Sequence, residues 1–228
     1  MFNYDIPIGQ MITPCKCCGG FNEMRVWTNL NSRQNPEQRR MLIDNELFKY
    51  ECKKCGAVYL LTYEMMYHDE ENKVIIFLDP MMKHTKEIKK KIRKQKKEFG
   101  KDYRFRIVKS ASDLREKAII FKHKYDDRII ELVICEIIGV TDYCEKNLDI
   151  QEYKLDVSDE EIIIRLLGVN KNTGETFELP NGMDFETYKI NEARTHSTIK
   201  LKEDLVIDFE WCIKQREKIK KKLEKMYK

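Results

Sequence analysis

No stretch of this 228-residue chain approaches the roughly 18 consecutive apolar residues that a membrane-spanning helix needs. Its first residues show no basic region followed by an apolar one, the mark of a secretory leader. Both absences predict a soluble, cytoplasmic protein with no membrane partner. Familiar catalytic signatures are missing too. There is no glycine-rich loop to cradle phosphates, no Gly-x-Ser-x-Gly elbow and no His-Glu-x-x-His pair. No nucleophile is placed beside a base by any of these motifs. Nor is there a disulfide framework: Cys135, Cys144 and Cys212 are scattered singly, which fits a reducing compartment.

Hydrophobic residues make up 42% and charged residues 36% of the chain. The charges are mixed in sign and the apolar residues are periodic, which predicts folded structure rather than disorder. Net charge is +4, unevenly placed. Residues 83–101 carry ten Lys and Arg against two Glu, or +8, and residues 214–228 carry eight against two, or +6. The remainder is therefore −10 (4 − 14). An acidic body with two basic segments makes nucleic acid a candidate partner. Neither segment interleaves aromatics for base stacking, so packing on the acidic body, solvation or a protein partner compete with that reading.

The strongest local signal is a repeated motif. Pro14-Cys15-Lys16-Cys17-Cys18-Gly19-Gly20 and Cys52-Lys53-Lys54-Cys55-Gly56 each contain Cys-x-x-Cys-Gly. Two thiolates three residues apart turn toward one ion if the chain between them bends tightly, and the following Gly permits the positive φ such a bend often needs. Two knuckles supply four sulfurs, which close a tetrahedral Zn²⁺ site. Cys15, Cys18, Cys52 and Cys55 are the expected ligands. Cys17 could replace Cys15 or Cys18, or remain a free thiol beside the metal. A catalytic zinc keeps one position open for water; four cysteines leave none, so the expected cofactor is a structural Zn²⁺.

The gap between the knuckles is long for a zinc ribbon, so an insertion must fit there. Asn29 to Asn35 is polar and loop-like. Pro36–Ile43 reads as a helix, with Asn35 as its N-cap and Pro36 in its first turn. Strands are expected at Met11–Pro14, Phe21–Trp27, Leu47–Glu51, Ala57–Tyr63 and Val74–Leu78. Residues 82–99 suit a helix with a thin stripe of Ile88, Ile92 and Phe99. A strand at Arg104–Val108 and a capping box at Ser110–Asp113 follow, with Leu114, Ala118, Phe121 and Tyr125 at helical spacing. The run from Asp126 through Ile138 predicts a helix apolar on most sides. Ile162–Val169 predicts a strand turned back by Asn172-Thr173-Gly174. Residues 184–196 loosely suit a helix. Asp208 is placed to cap a final one, along which Ile219 and Leu223 extend a thin stripe.

The expected fold is α+β: a small antiparallel zinc-ribbon-like sheet with an inserted helix, then a mainly helical unit with a β-hairpin. The expected domains are 1–81, binding zinc, and 82–228, with basic helices at 82–99 and 208–228.

Laid out in this way, the first 80 or so residues resemble the CpXC domain family. The residues that carry the resemblance are Ile12 through the first knuckle, the strand with Trp27, the insert Pro36–Leu47, the second knuckle, and Tyr67-His68-Asp69 before Val74–Leu78. Arg106-Ile107-Val108, Leu114-Arg115-Glu116-Lys117 and Asp126 to Glu131 resemble a companion region of longer members. The likeness extends over about the first two thirds of the chain. The family pattern has Pro after the first Cys; here Lys16 and Lys53 stand there, and Pro14 precedes the knuckle. The resemblance implies a zinc-binding module and no particular reaction.

Two classes of function follow. The first is a non-catalytic binding module that docks a protein or nucleic acid. The second is an enzyme with a site between the two units around His68, Asp126, Asp127 and Arg128. His68 beside Asp69 could serve as a general base, or simply sit in a hydrogen-bonded turn. Carboxylates at a helix start such as Asp126 and Asp127 more often cap the helix and form local ion pairs.

Overall fold

The computed structural model describes residues 8–158 and 160–226, the side chains at 223, 225 and 226 excepted; the expected place of Leu223 in the apolar stripe, and the last two residues of the helix expected over 208–228, lie outside these. The described residues form an α+β protein with eleven strands and six helices. The chain makes two compact units, Met1–Ile119 and Ile120–Lys228.

In the first unit, β1 (Ile8–Pro14) and β2 (Phe21–Trp27) make one antiparallel hairpin, and β4 (Lys49–Glu51) and β5 (Val58–Leu60) make another. Each is turned by a cysteine knuckle. Between them run β3 (Asn29–Asn31) and α1 (Pro36–Ile43). β3 was not legible, because a three-residue strand of Asn-Leu-Asn has no pattern to show; only Leu30 is buried. Asn35 stands at the N-cap, but its side chain makes no capping bond and instead accepts from the Asn31 amide at 3.1 Å.

The larger sheet of this unit has the order β3-β6-β7-β8, with β6 at Met65–Asp69, β7 at Val74–Leu78 and β8 at Arg104–Val108. It is mixed rather than purely antiparallel: β3 runs parallel to β6, and β8 parallel to β7. The two central strands are buried along their whole length, which is why Val74–Leu78 is continuously apolar instead of alternating. α2 (Thr85–Phe99) is the crossover joining the parallel strands β7 and β8, a connection that parallel pairing requires. Because β8 completes the sheet that β7 belongs to, the compact unit runs beyond residue 81, to Ile119 inside α3 (Ala111–Lys122). The capping box at its start is formed: the Ser110 amide donates to Asp113 at 3.1 Å and the Asp113 amide to Ser110 Oγ at 3.0 Å.

In the second unit, α4 (Asp127–Cys144) is followed by the antiparallel meander β9 (Leu148–Val157), β10 (Glu161–Asn170) and β11 (Thr176–Asp184), then α5 (Phe185–Thr198) and α6 (Phe209–Met226). The expected hairpin is therefore two strands of three. Its core joins Ile129, Ile130 and Ile134 of α4 to Ile162, Ile164 and Leu166 of β10, with Tyr188, Trp211 and Cys212 from the last helices. Asp208 caps α6, accepting from the Trp211 amide at 3.0 Å. Among the described residues no helix is long and apolar enough to cross a membrane.

Candidate metal centre

Both knuckles fold alike. In the first, the Gly19 amide donates to the Cys15 carbonyl at 2.9 Å and the Cys15 amide to the Gly20 carbonyl at 2.8 Å. In the second, Gly56 donates to Cys52 at 2.8 Å and Cys52 to Ala57 at 2.9 Å. Gly19 and Gly56 have φ of 68° and 69°, a region that a Cβ would strain. The repeated glycine thus closes the same turn twice, and each turn aims its two thiols inward.

The sulfurs of Cys15, Cys18, Cys52 and Cys55 all lie within 4.8 Å of one another. Cys15 to Cys55 is 3.6 Å and Cys18 to Cys52 is 3.8 Å. A zinc–sulfur bond of about 2.3 Å in a tetrahedron separates sulfurs by about 3.8 Å. The spacing fits such an ion, and the all-thiol donor set suits a soft or borderline metal. Cys17 is exposed and is not one of the converging four; its amide donates to Cys15 Sγ at 3.3 Å, as does that of Cys18.

The surroundings favour charged sulfur. The Tyr59 hydroxyl is hydrogen-bonded to Cys15 Sγ. That bond, with the amides of Cys18 and Cys17 and against the effect of burial, lowers the Cys15 thiol to about 6. Its counterpart is a Tyr59 hydroxyl pushed up by the same bond and by burial. At Cys55 the Ala57 amide pulls downward, but burial and the neighbouring thiols outweigh it and carry that thiol up to about 12. At Cys52 burial pushes upward, but the amides of Cys55 and Lys54 and the Asn22 side chain outweigh it and lower that thiol too; a bound dication would replace the protons. Asn22 ties the knuckles together. Its Nδ2 donates to the Gly20 carbonyl at 2.9 Å and to Cys52 Sγ at 3.5 Å, and its Oδ1 accepts from the Lys53 amide at 3.3 Å. Neither Asn22 nor Tyr59 was singled out by sequence. The signal available was position alone: each lies on a strand leaving a knuckle, four residues past its second cysteine.

The family model described as CpXC protein matches residues 13–134, more than half of the chain and all four converging cysteines. The chain belongs to the CpXC family. Searches of curated proteins and of solved structures returned no match. This CpXC protein departs from the Cys-Pro pattern with Lys16 and Lys53, yet both knuckles close. Their turns are held by backbone bonds and glycine rather than by proline.

The remaining candidate residues of the CpXC protein have other roles. His68 and Asp69 are neighbours on β6, so their side chains point to opposite faces and do not form a dyad. His68 Nε2 lies 3.2 Å from the Tyr103 hydroxyl, and its ring packs 5.1 Å from that of Phe99. Burial lowers its pKa below the ordinary value. Asp69, fully buried, accepts from Ser32, Arg39, Tyr67 and Asn72, which fixes the start of the turn into β7. In the second unit Asp126 is the N-cap of α4: its Oδ1 accepts from the Arg128 amide at 3.0 Å. Its carboxylate also receives the Arg128 side chain, at 2.9 and 2.6 Å, and Arg128 reaches Glu203 at 3.1 Å. Asp127 is fully buried in the first turn of α4.

Proposed function

We propose that this CpXC protein is a zinc-stabilised binding module. Its four-cysteine centre is structural, and it docks a macromolecular partner, protein or nucleic acid, rather than transforming a substrate. One observation carries the reading: the sulfurs of four cysteines converge within 4.8 Å of one another, and an ion held by four thiolates keeps no position for a substrate or an activated water. Two hairpins whose knuckled turns meet at one point also support a zinc-ribbon-like organisation for residues 8–61. When bound, zinc supplies a cross-link between hairpins that are otherwise bridged by the hydrogen bonds of Asn22 and Tyr59 and a small shared cluster. Asn22, Tyr59 and the knuckle amides orient the sulfurs and share their charge.

Elemental analysis of natively purified protein is the direct test. One zinc per chain is expected. Cys52→Ser should abolish it and melt the two knuckled hairpins, whereas Cys17→Ser and Cys135→Ser should leave it intact. Metal-free wild type defeats the reading; loss of zinc from Cys17→Ser would move the ligand set.

A further inference from the structure

The two basic segments, alike in sequence, differ in the folded protein. In α6 several cations are already used: Arg216 donates to the Cys135 carbonyl at 3.0 Å, Lys222 to the Thr198 carbonyl, and Lys218 to Gln215 at 3.1 Å. α2 is arranged otherwise. Ile88, Ile92 and Gln95 are buried, and half-buried Phe99 packs on His68. At about 100° per residue these four fall on one side of the helix. On the opposite side, Lys89, Arg93, Lys86, Lys97, Lys90 and Lys94 follow one another round an arc of about 140°, and all six are exposed. No other residue of the helix falls on that arc. Glu87 and Glu98 lie beyond its edge, and Lys96, at the other edge, sits over the Phe105 ring at 5.6 Å.

This is more order than a solvated Lys-rich helix requires. Opposite charges at three- and four-residue spacing stabilise a solvated helix; Glu87 stands at that spacing from Lys90 and Glu98 from Lys94, but Lys86, Lys89, Arg93 and Lys97 have no carboxylate so placed on the helix. Here six like charges face one way, at some cost in mutual repulsion. From Lys86 to Lys97 they extend about 16 Å along the axis, an average step of about 3.3 Å between successive cations. The phosphates of one strand of duplex DNA are spaced about 3.4 Å apart along the axis. The exposed arc holds no aromatic for stacking on unpaired bases and no Asn or Gln for reading adenine edges; Gln95, which could do so, is buried.

We propose that this face of α2 binds the phosphate backbone of double-stranded DNA without sequence preference. The proposal rests on the binding-module reading and names its partner.

The test is fluorescence anisotropy with a labelled mixed-sequence duplex of about 20 base pairs between about 50 and 200 mM salt, the range over which phosphate contacts show their salt dependence, with zinc content measured on the same preparations. A dissociation constant in the non-specific range of about 10⁻⁶–10⁻⁴ M is expected at the higher salt. Four neutralised phosphates would give a log–log salt slope of about −3.6. Replacing Lys90, Arg93 and Lys97 with Gln should make the slope shallower by roughly two to three units, at about 0.9 per lost contact. It should also weaken binding at least about tenfold at the lower salt, with zinc and circular dichroism unchanged. The matched α6 set, Lys214, Lys218 and Lys221 to Gln, should leave binding intact. The proposal is overturned by salt-insensitive or absent binding, by equal losses from both sets, or by tighter binding to single strands or to phosphatidylserine vesicles than to duplex. In each of those cases, a full complement of zinc would leave the structural-metal reading standing.

Discussion

Asn22 shows how much one side chain contributes at the residue scale. It is buried, and its amide group contacts both knuckles through Gly20, Cys52 and Lys53. Removing a group that orients a metal's ligands generally costs about 10–100-fold in affinity. Asn22→Ala should therefore weaken zinc binding by that factor, read by competition against a chromophoric chelator. An unchanged constant would reduce Asn22 to a space-filler. Tyr59 acts from the other hairpin, where its hydroxyl meets Cys15 and its ring stacks on Tyr50 at 5.8 Å. The cysteines themselves were legible from spacing. These two helpers were not, because nothing in a linear pattern says which Asn or Tyr a fold will bring against sulfur.

At the scale of elements, strand β6 separates two residues that lie side by side in sequence. Its pleat sends Asp69 into a buried hydrogen-bond network and His68 against Tyr103 and Phe99. Burial of His68 disfavours its charged form, so its folded pKa lies below the ordinary 6.5. A group depressed in this way contributes stability that is fully present above the unfolded value and is lost as pH falls from about 6.5 toward the folded value, since the unfolded chain takes up the proton first. The stability gap between wild type and His68→Gln, from urea denaturation, should narrow as pH is lowered from about 7.5 to about 5.5. A constant gap would show that His68 does not titrate with folding. Strand β9 gives a different lesson. Leu148 and Ile150 keep one alternation and Tyr153, Leu155 and Val157 another, with the phase broken at Gln151 and Glu152. The structure has an irregularity there: Leu167 pairs with Glu152 but Gly168 with Ile150. A Cβ on Gly168 would lie 1.9 Å from the Asp149 carbonyl oxygen, so glycine is what lets the chains approach. The bulge hid the strand by breaking the period-two signal that would have revealed it.

For the whole molecule, metal removal is the informative perturbation. Each hairpin has just two strands, those of the second only three residues long, and the two share a small cluster of Cys15, Tyr50 and Cys52; two-stranded hairpins are marginal on their own. The second unit carries an extensive core of its own. Chelation should therefore abolish amide-exchange protection in β1, β2, β4 and β5 and leave it in β10; equal protection with and without chelator would mean that the hairpins fold without metal. Sequence by itself determined the mixed α+β class, the four convergent cysteines, most helices and the family, because each rests on local spacing or period. Tertiary structure decided what depends on distant partners. It extended the first unit past α2 by pairing β8 with β7, made that sheet mixed rather than antiparallel, and placed His68 and Asp69 on opposite faces. It also distinguished two basic segments of similar composition, since which cations meet a carbonyl and which meet solvent depends on the surface each helix packs against.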